Sequence, residues 1–175
     1  KKVAMLDVLV IASGFVLRAL AGAAALAVEI SPWLVLCTFL LALFLGFCKR
    51  RHEKNLFTDD ASENRPSLMN YDDKLLDQVI AITAASTVVA YSMYTLSPDT
   101  IQKFGTSWLG FSIPFVIFGV FRYMDLVYRH EQGNRPEKLL LSDKPLLLDI
   151  MLYSLVVLGI ALRAHFRSDV WPDSM

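Results

Sequence analysis

Five stretches of this chain are each long and apolar enough to cross a lipid bilayer, and this limits the fold more than any other feature. A helix rises about 1.5 Å per residue, so about 20 apolar residues cross roughly 30 Å of hydrocarbon. Of the 175 residues, 55% are hydrophobic and 19% are charged, and the apolar residues come in blocks. We predict an all-α, polytopic membrane helix bundle, with helices at about 5–28, 32–51, 76–96, 107–127 and 146–165.

Lys and Arg residues gather at one end of the predicted helices. Thirteen of the 17 lie at the N-terminus or in and beside two long connections, at about 54–75 and 128–145. The opposite end carries only Lys103, Arg163 and Arg167. Because positive charge accumulates on the cytoplasmic side of membrane proteins, we predict a multi-pass protein of the cell (inner) membrane with these connections in the cytoplasm. The net charge of zero itself says little, because charge is sorted by depth in the membrane rather than by sign. We expect no nucleic-acid partner.

The start of the chain indicates part of a longer protein. Lys1 and Lys2 run directly into a full-length apolar segment, with no initiator Met and no cleavable signal sequence. We therefore expect a single membrane domain, 1–175, that is the C-terminal part of a larger bundle. Cys37 and Cys48 lie on one predicted helix, separated by roughly 16 Å along its axis, which excludes a disulfide between them.

The first predicted helix carries one arginine near its middle. Arg18 lies between Gly14 and Gly22 at four-residue spacing, and small residues at this spacing allow close approach of a neighbouring helix. A charge at this depth costs at least a few kcal/mol of insertion energy. Arg18 should therefore face a polar cavity or pair with an acidic residue on a neighbouring helix, and the sequence leaves both open.

A basic cluster closes the second predicted helix, where Lys49, Arg50, Arg51 and Lys54 surround Glu53. These cations could be a membrane anchor that meets anionic lipid, or they could bind phosphate groups of a substrate. A carboxylate in the same turn adds nothing to an anchor but suits a metal ion or a sugar hydroxyl. Both interpretations stay open on the residues alone.

Two other acidic groups could take part in chemistry. Asp59, Asp60 and Glu63 could hold Mg²⁺, although their small polar neighbours favour a solvated loop. Asp73 and Asp77 have a spacing that places both carboxylates on one helical face. That spacing is a weak signal, since acidic residues near a helix N-terminus are also explained by capping and by the helix dipole.

Four stretches of the chain resemble a known family: "KKVAMLDVLVIASGFVLRALAGAAA", "SPWLVLCTFLLALFLGFCKRRHE", "IPFVIFGVFRYMDLVYR" and "PEKLLLSDKPLLLDIMLY". Together they are similar to the C-terminal half of the UbiA-type intramembrane prenyltransferases, and most to the branch that transfers phosphoribose. The resemblance covers roughly residues 1–162. Its specific parts are "GFVLRALAG" and "KRRHE".

The resemblance implies a nine-helix bundle, of which this chain supplies the last five helices, around a cavity open to the cytoplasm. It implies Mg²⁺ as cofactor, held with the donor diphosphate by an Asn-Asp-rich motif on a helix upstream of this chain. In the phosphoribosyl branch, Lys49, Arg50, Arg51 and Glu53 stand where other members have a second acidic motif. The implied reaction moves 5-phosphoribose from phosphoribosyl pyrophosphate to a polyprenyl phosphate of the membrane bilayer, at its cytoplasmic face.

The resemblance also implies roles for particular residues. Glu53 would contact the ribose or a second metal ion, and Arg18 would line the cavity floor near the diphosphate. The expected substrate-binding residues share a place at the cytoplasmic mouth: Lys49, Arg50, Arg51, Lys2, Arg122 and Tyr123.

Two further functions remain open at this point. A conventional UbiA-type enzyme would move a polyprenyl chain to an aromatic or lipid acceptor, and the cation-rich second motif argues against it. A transporter or membrane scaffold half would use Arg18 as an intramembrane counter-ion.

Overall fold

The structure, a computed structural model, describes residues 5–57, 72–129 and 143–170, and these ranges contain helices and no strand. Five helices are long and apolar enough to cross a membrane, which confirms the predicted fold class. The helices are α1 (Leu6–Ala25), α2 (Pro32–Phe57), α3 (Asp73–Leu96), the short α4 (Pro98–Phe104), α5 (Ile113–Arg129) and α6 (Lys144–Val170), with a 3₁₀ helix at Trp108–Ser112 before α5.

The helices pack in an order that follows the chain. The most extensive contact joins α2 to α3; α1 packs mainly against α2, and α5 packs against α6 and α3. One end of the bundle holds the starts of α1, α3 and α6 and the ends of α2 and α5. We call it the basic end, because it carries the cluster that closes α2.

The buried core lies where α2 faces α1, α3 and α5. Its fully buried side chains include Val8, Phe44, Leu76 and Ile80. Helices α1 and α2 approach closely at Gly46, where an added Cβ atom would lie 2.6 Å from the Val8 Cγ1 atom. Glycine at this position therefore sets the separation of the two helices.

The segment before α5 differs from the single helix predicted at 107–127. A 3₁₀ turn ends at Ser112, and α5 begins at Ile113, so that Pro114 lies in its first turn. A proline has no N–H to donate and fits a helix start, where that N–H has no partner within the helix. The Ser112 hydroxyl lies 2.6 Å from the Tyr91 hydroxyl, which ties this turn to α3.

Candidate functional site

The basic cluster of Lys49, Arg50, Arg51 and Lys54 lies on a continuous helix, since α2 extends to Phe57. Consecutive residues on a helix are rotated by about 100°, so neighbouring cations in the cluster face different helices. Lys49 is exposed, whereas the side chains of Arg50 and Arg51 are only 17% and 18% exposed. The two arginines therefore lie inside the bundle end.

Arg50 connects α1 with α2. Its Nη2 atom lies 2.8 Å from the Asp7 Oδ2 atom at the start of α1. Its Nη1 atom donates to the Glu53 Oε2 atom one turn later on α2, at 2.5 Å. Glu53, expected to contact ribose or metal, is thus a partner of Arg50.

Arg51 connects α2 with α3 and α5. Its Nε atom donates to the Asp77 Oδ1 atom at 2.8 Å, and its guanidinium lies 5.7 Å from the centre of the Tyr128 ring. The Tyr128 hydroxyl donates to the same Asp77 oxygen at 3.0 Å. Asp73 lies 2.8 Å from the Lys54 Nζ atom and 3.8 Å from the Arg51 Nη1 atom. Asp73 and Asp77, whose spacing in the sequence is only a weak signal, therefore supply the carboxylates that α3 contributes to this network.

The charges of this network balance. The four cations of the basic cluster are matched in number by four carboxylates, those of Asp7, Glu53, Asp73 and Asp77. These carboxylates pair with Arg50, Arg51 and Lys54. Lys49 differs from the other three cations, because it is exposed and makes no ion pair within the described ranges. Lys49 is therefore open to an anion from outside, whereas the other three cations already face carboxylates.

Arg122 and Tyr123 are adjacent on α5, but their side chains contact different parts of the bundle. The Arg122 guanidinium donates twice to Asp143, from Nε at 3.1 Å and from Nη2 at 2.7 Å, and it also donates to Asp125 at 3.0 Å. Asp143 also accepts the Leu146 backbone N–H at 2.9 Å and so caps α6. Arg122 thus joins α5 to the start of α6.

Tyr123 lines an apolar cavity between α2, α5 and α6, of about 270 Å³. The residue is 4% exposed and packs edge-on against Phe44, with ring centres 5.7 Å apart. Leu45 lines the same cavity from α2, one helical turn before Lys49. One turn rises about 5.4 Å, so the exposed lysine lies just beyond the basic-end side of the cavity.

Arg18 lies away from the basic cluster. It is exposed on α1 and makes no hydrogen bond or ion pair with any residue that the structure describes. Cβ atoms added at Gly14 and Gly22 would meet nothing within 4 Å. This stripe of α1 therefore faces away from the described helices, and the close approach between α1 and α2 uses Gly46 instead.

Some predicted residues lie outside the described ranges: Lys2, Asp59, Asp60 and Glu63. Within the ranges that the structure describes, no group of three or more His, Cys, Asp or Glu side chains could hold a metal ion. Glu53 is bonded to Arg50, so these ranges offer no ligand set for Mg²⁺. Cys37 and Cys48 are buried and unpaired.

The structure reveals one candidate that the sequence analysis missed. Asp149 lies in the second turn of α6, is 8% exposed and lines the apolar cavity. A signal was present, because an ionisable residue inside a membrane-length apolar segment is a functional candidate by default.

The fold and the site define a polytopic membrane protein with a charge-balanced network at one end and an apolar cavity beside it. No family model matches the chain. Curated proteins do match it, among them three named decaprenyl-phosphate phosphoribosyltransferase. The one from Mycolicibacterium smegmatis is 31% identical over 153 residues, covering 83% of this chain and 48% of that protein.

The other two relatives match to the same extent. The Corynebacterium glutamicum protein is 31% identical over 147 residues, with 83% of this chain and 44% of that protein covered. The Mycobacterium tuberculosis protein is 30% identical over 147 residues, with 83% and 47% covered. The chain spans about half the length of these relatives. It is a partial homologue of the decaprenyl-phosphate phosphoribosyltransferases, which are UbiA-type family members, and the resemblance found in the sequence is confirmed.

Proposed function

We propose that the protein transfers 5-phosphoribose from phosphoribosyl pyrophosphate to a polyprenyl phosphate at the cytoplasmic face of the cell membrane. The observation that carries this proposal is the similarity over 83% of the chain to proteins named for that transfer. These names favour phosphoribosyl transfer over prenyl transfer to an aromatic acceptor. They also favour an enzyme over a transporter or scaffold.

The exposed Lys49 supports a place for the lipid phosphate. Its ammonium group is a point charge without an ion-pair partner among the described residues, and it lies one turn beyond Leu45 of the apolar cavity. A polyprenyl phosphate joins an apolar chain to an anionic head. We infer that the head lies at Lys49 while the adjoining part of the chain enters the cavity.

Arg50 and Arg51 have a second role in this proposal. Each bridges two carboxylates, and these pairs hold α1 and α3 against α2. A substrate phosphate can draw either guanidinium only by sharing it with those carboxylates, since charge-assisted bonds compete for the same donors. We propose that these arginines shape the mouth, and that they contact phosphate as shared partners.

We propose that the Mg²⁺ expected for this reaction is held by carboxylates outside the described ranges. The chain spans about half of its relatives, so we also expect the 175 residues alone to transfer nothing. Turnover by the isolated chain would overturn that expectation.

The test uses membranes that contain the intact natural protein. Labelled phosphoribosyl pyrophosphate and a polyprenyl phosphate are supplied, and the labelled lipid product is separated by chromatography. We expect a lipid-linked phosphoribose, and no product from a prenyl diphosphate with an aromatic acid. The opposite pattern of products would refute the proposal.

Lys49→Gln tests the placement of the phosphate, with Lys103→Gln as the matched control. Lys103 is an exposed lysine of α4, at the opposite end from the basic cluster. Loss of one charge-assisted contact should raise KM for polyprenyl phosphate about tenfold, while the control keeps its KM. If the two variants had the same KM for polyprenyl phosphate, Lys49 would not be part of the phosphate-binding site.

A further inference from the structure

The carboxyl group of Asp149 lies in the apolar cavity and has no partner among the residues that the structure describes. Asp149 makes no hydrogen bond or ion pair with any residue in ranges 5–57, 72–129 and 143–170. It is 8% exposed, so water reaches little of it. By contrast, the described half-buried carboxylates at the basic end each face an arginine: Asp7, Glu53, Asp77, Asp125 and Asp143.

The fold makes room for this carboxyl group at Gly119. A Cβ atom added to Gly119 would lie 3.1 Å from the Asp149 Oδ2 atom, which is closer than ordinary van der Waals contact. Helix α5 therefore approaches α6 at a residue without a side chain, and the carboxyl group occupies that space. Tyr123 and Tyr153 are the other cavity residues with polar groups.

A buried, unpaired carboxyl group is costly and is rarely kept for stability. Removing an ionised group from water without a partner is strongly unfavourable, and intramembrane ionisable residues usually serve a function. A carboxylate in an apolar cavity attracts positive charge strongly, because little solvent screens it. The ligand that fits this site is one that carries or develops a positive charge.

We propose that Asp149 stabilises the positive charge that develops on the ribose ring during phosphoribosyl transfer. This inference rests on the proposed function. In that reaction the bond between the anomeric carbon and the pyrophosphate oxygen breaks, and pyrophosphate leaves with the bonding electron pair. An oxygen of the polyprenyl phosphate donates a lone pair to form the new bond. No proton moves, and the ring carries positive charge between the two events.

Both charged groups of the proposed reaction are associated with one cavity. Lys49 lies one helical turn beyond Leu45, which lines the cavity from α2, and Asp149 lines the same cavity from α6. In the proposed complex, a phosphate held at Lys49 presents its oxygen to the anomeric carbon, and the ribose ring lies between Lys49 and Asp149. The carboxylate is then a preorganised charge aimed at the transition state, which raises kcat more than it lowers KM.

The first test is Asp149→Asn in the intact natural protein, with Asp99→Asn as the matched control. Asp99 is an exposed carboxylate on α4, at the opposite end. We expect kcat to fall about a hundredfold in Asp149→Asn, as when one preorganised transition-state contact is lost. KM for both substrates should change by no more than about threefold, and Asp149→Glu should recover part of kcat.

The second test uses a binding probe and does not depend on turnover. An iminoribitol 5-phosphate carries a protonated ring nitrogen where the transition state carries positive charge. Its ring-oxygen analogue has the same phosphate but an uncharged ring; we call the two the cationic and the neutral probe after their rings. The natural protein should bind the cationic probe at least about tenfold more tightly than the neutral one. Asp149→Asn should bind the two equally, while Asp99→Asn keeps the preference.

The outcomes separate the two proposals. If the natural protein forms no phosphoribosyl lipid, both proposals fall. If it does, and Asp149→Asn has an unchanged kcat or an unchanged probe preference, only the role of Asp149 is overturned. A raised KM for polyprenyl phosphate with full kcat would show that the cavity holds only the apolar chain. An amide needs no counter-charge, so we expect Asp149→Asn to fold. If that variant unfolds in detergent, Asp149→Glu is used for the probe test instead. Loss of the preference for the cationic probe in Asp149→Glu would overturn the role of Asp149.

Discussion

The contact between α1 and α2 at Gly46 gives a stability prediction whose size follows from the structure. In Gly46→Ala the new methyl group would lie 2.6 Å from the Val8 Cγ1 atom. Val8 is 1% exposed and cannot move aside into solvent. Overpacking of this kind costs about 1–3 kcal/mol, and a contact at 2.6 Å places the cost in the upper part of that range, at about 2–3 kcal/mol. The better helix propensity of alanine returns about 1 kcal/mol. We expect a net loss of about 1–2 kcal/mol.

The companion change removes the clash from the other side. Val8→Ala alone should cost about 1–2 kcal/mol of lost packing in the core. In the double variant the alanine methyl at position 46 occupies the space that valine left. The double variant should therefore be no less stable than either single variant, which means a coupling energy of about 1–2 kcal/mol between the two sites.

The assay is reversible unfolding of the purified protein in mixed micelles, followed for the four members of the cycle. Asp7 directly precedes Val8 on the same helix and pairs with Arg50. A displacement of α1 should therefore also disturb the basic cluster. Transfer activity of Gly46→Ala should fall and should recover with Val8→Ala. Additive losses in the double variant would refute the inferred close approach.

Two further predictions concern the other helix contacts. Asp143→Asn keeps a side-chain oxygen that can accept the Leu146 N–H but loses its charge opposite Arg122, whereas Asp143→Ala loses both. Thermal unfolding should therefore rank the natural protein above Asn and Asn above Ala, and equal midpoints for the two variants would contradict the capping role. Gly119→Ala places a methyl group 3.1 Å from the Asp149 Oδ2 atom and should displace that carboxyl group. We therefore expect kcat to fall about tenfold or more, while the free energy of unfolding changes by less than about 1 kcal/mol. A large loss of stability with full activity would contradict the positioning role.

The sequence predicts the helices well because the signal is simple. In a bilayer every backbone polar group must be bonded within its own segment, so block length and apolar content are sufficient. This explains why all five membrane-length helices are confirmed. The irregular turn before α5 was missed, since hydropathy does not distinguish a 3₁₀ turn from an α-helical one.

The contacts within the site depend on rotation about each helix axis, which the sequence does not specify. Arg50 and Arg51 look equivalent in the sequence. A rotation of about 100° between them sends the first toward Asp7 on α1 and the second toward Asp77 on α3. Asp7 and Asp77 lie far in the chain from Arg50 and Arg51, so no local spacing could reveal these two pairs.

Arg18 shows the complementary case. Its depth in the first helix predicted a polar cavity or an acidic partner, and the described helices provide neither. The sequence shows that a charge at this depth needs a partner, but it does not show where that partner lies. The assignment of Arg18 to a cavity floor therefore stays a prediction.

The choice of arginine at positions 50 and 51 bears on whether the basic cluster is only an anchor. An anchor needs positive charge, which lysine supplies equally well. Arg50 spans Asp7 and Glu53 with two different nitrogen atoms, at 2.8 and 2.5 Å, and a planar fork can do this where a single ammonium group cannot. The arginines thus act as clamps between helices. Of the four cluster cations, Lys49 makes no ion pair with a residue that the structure describes. In the proposed function it is therefore the cation that meets a phosphate beside the apolar cavity.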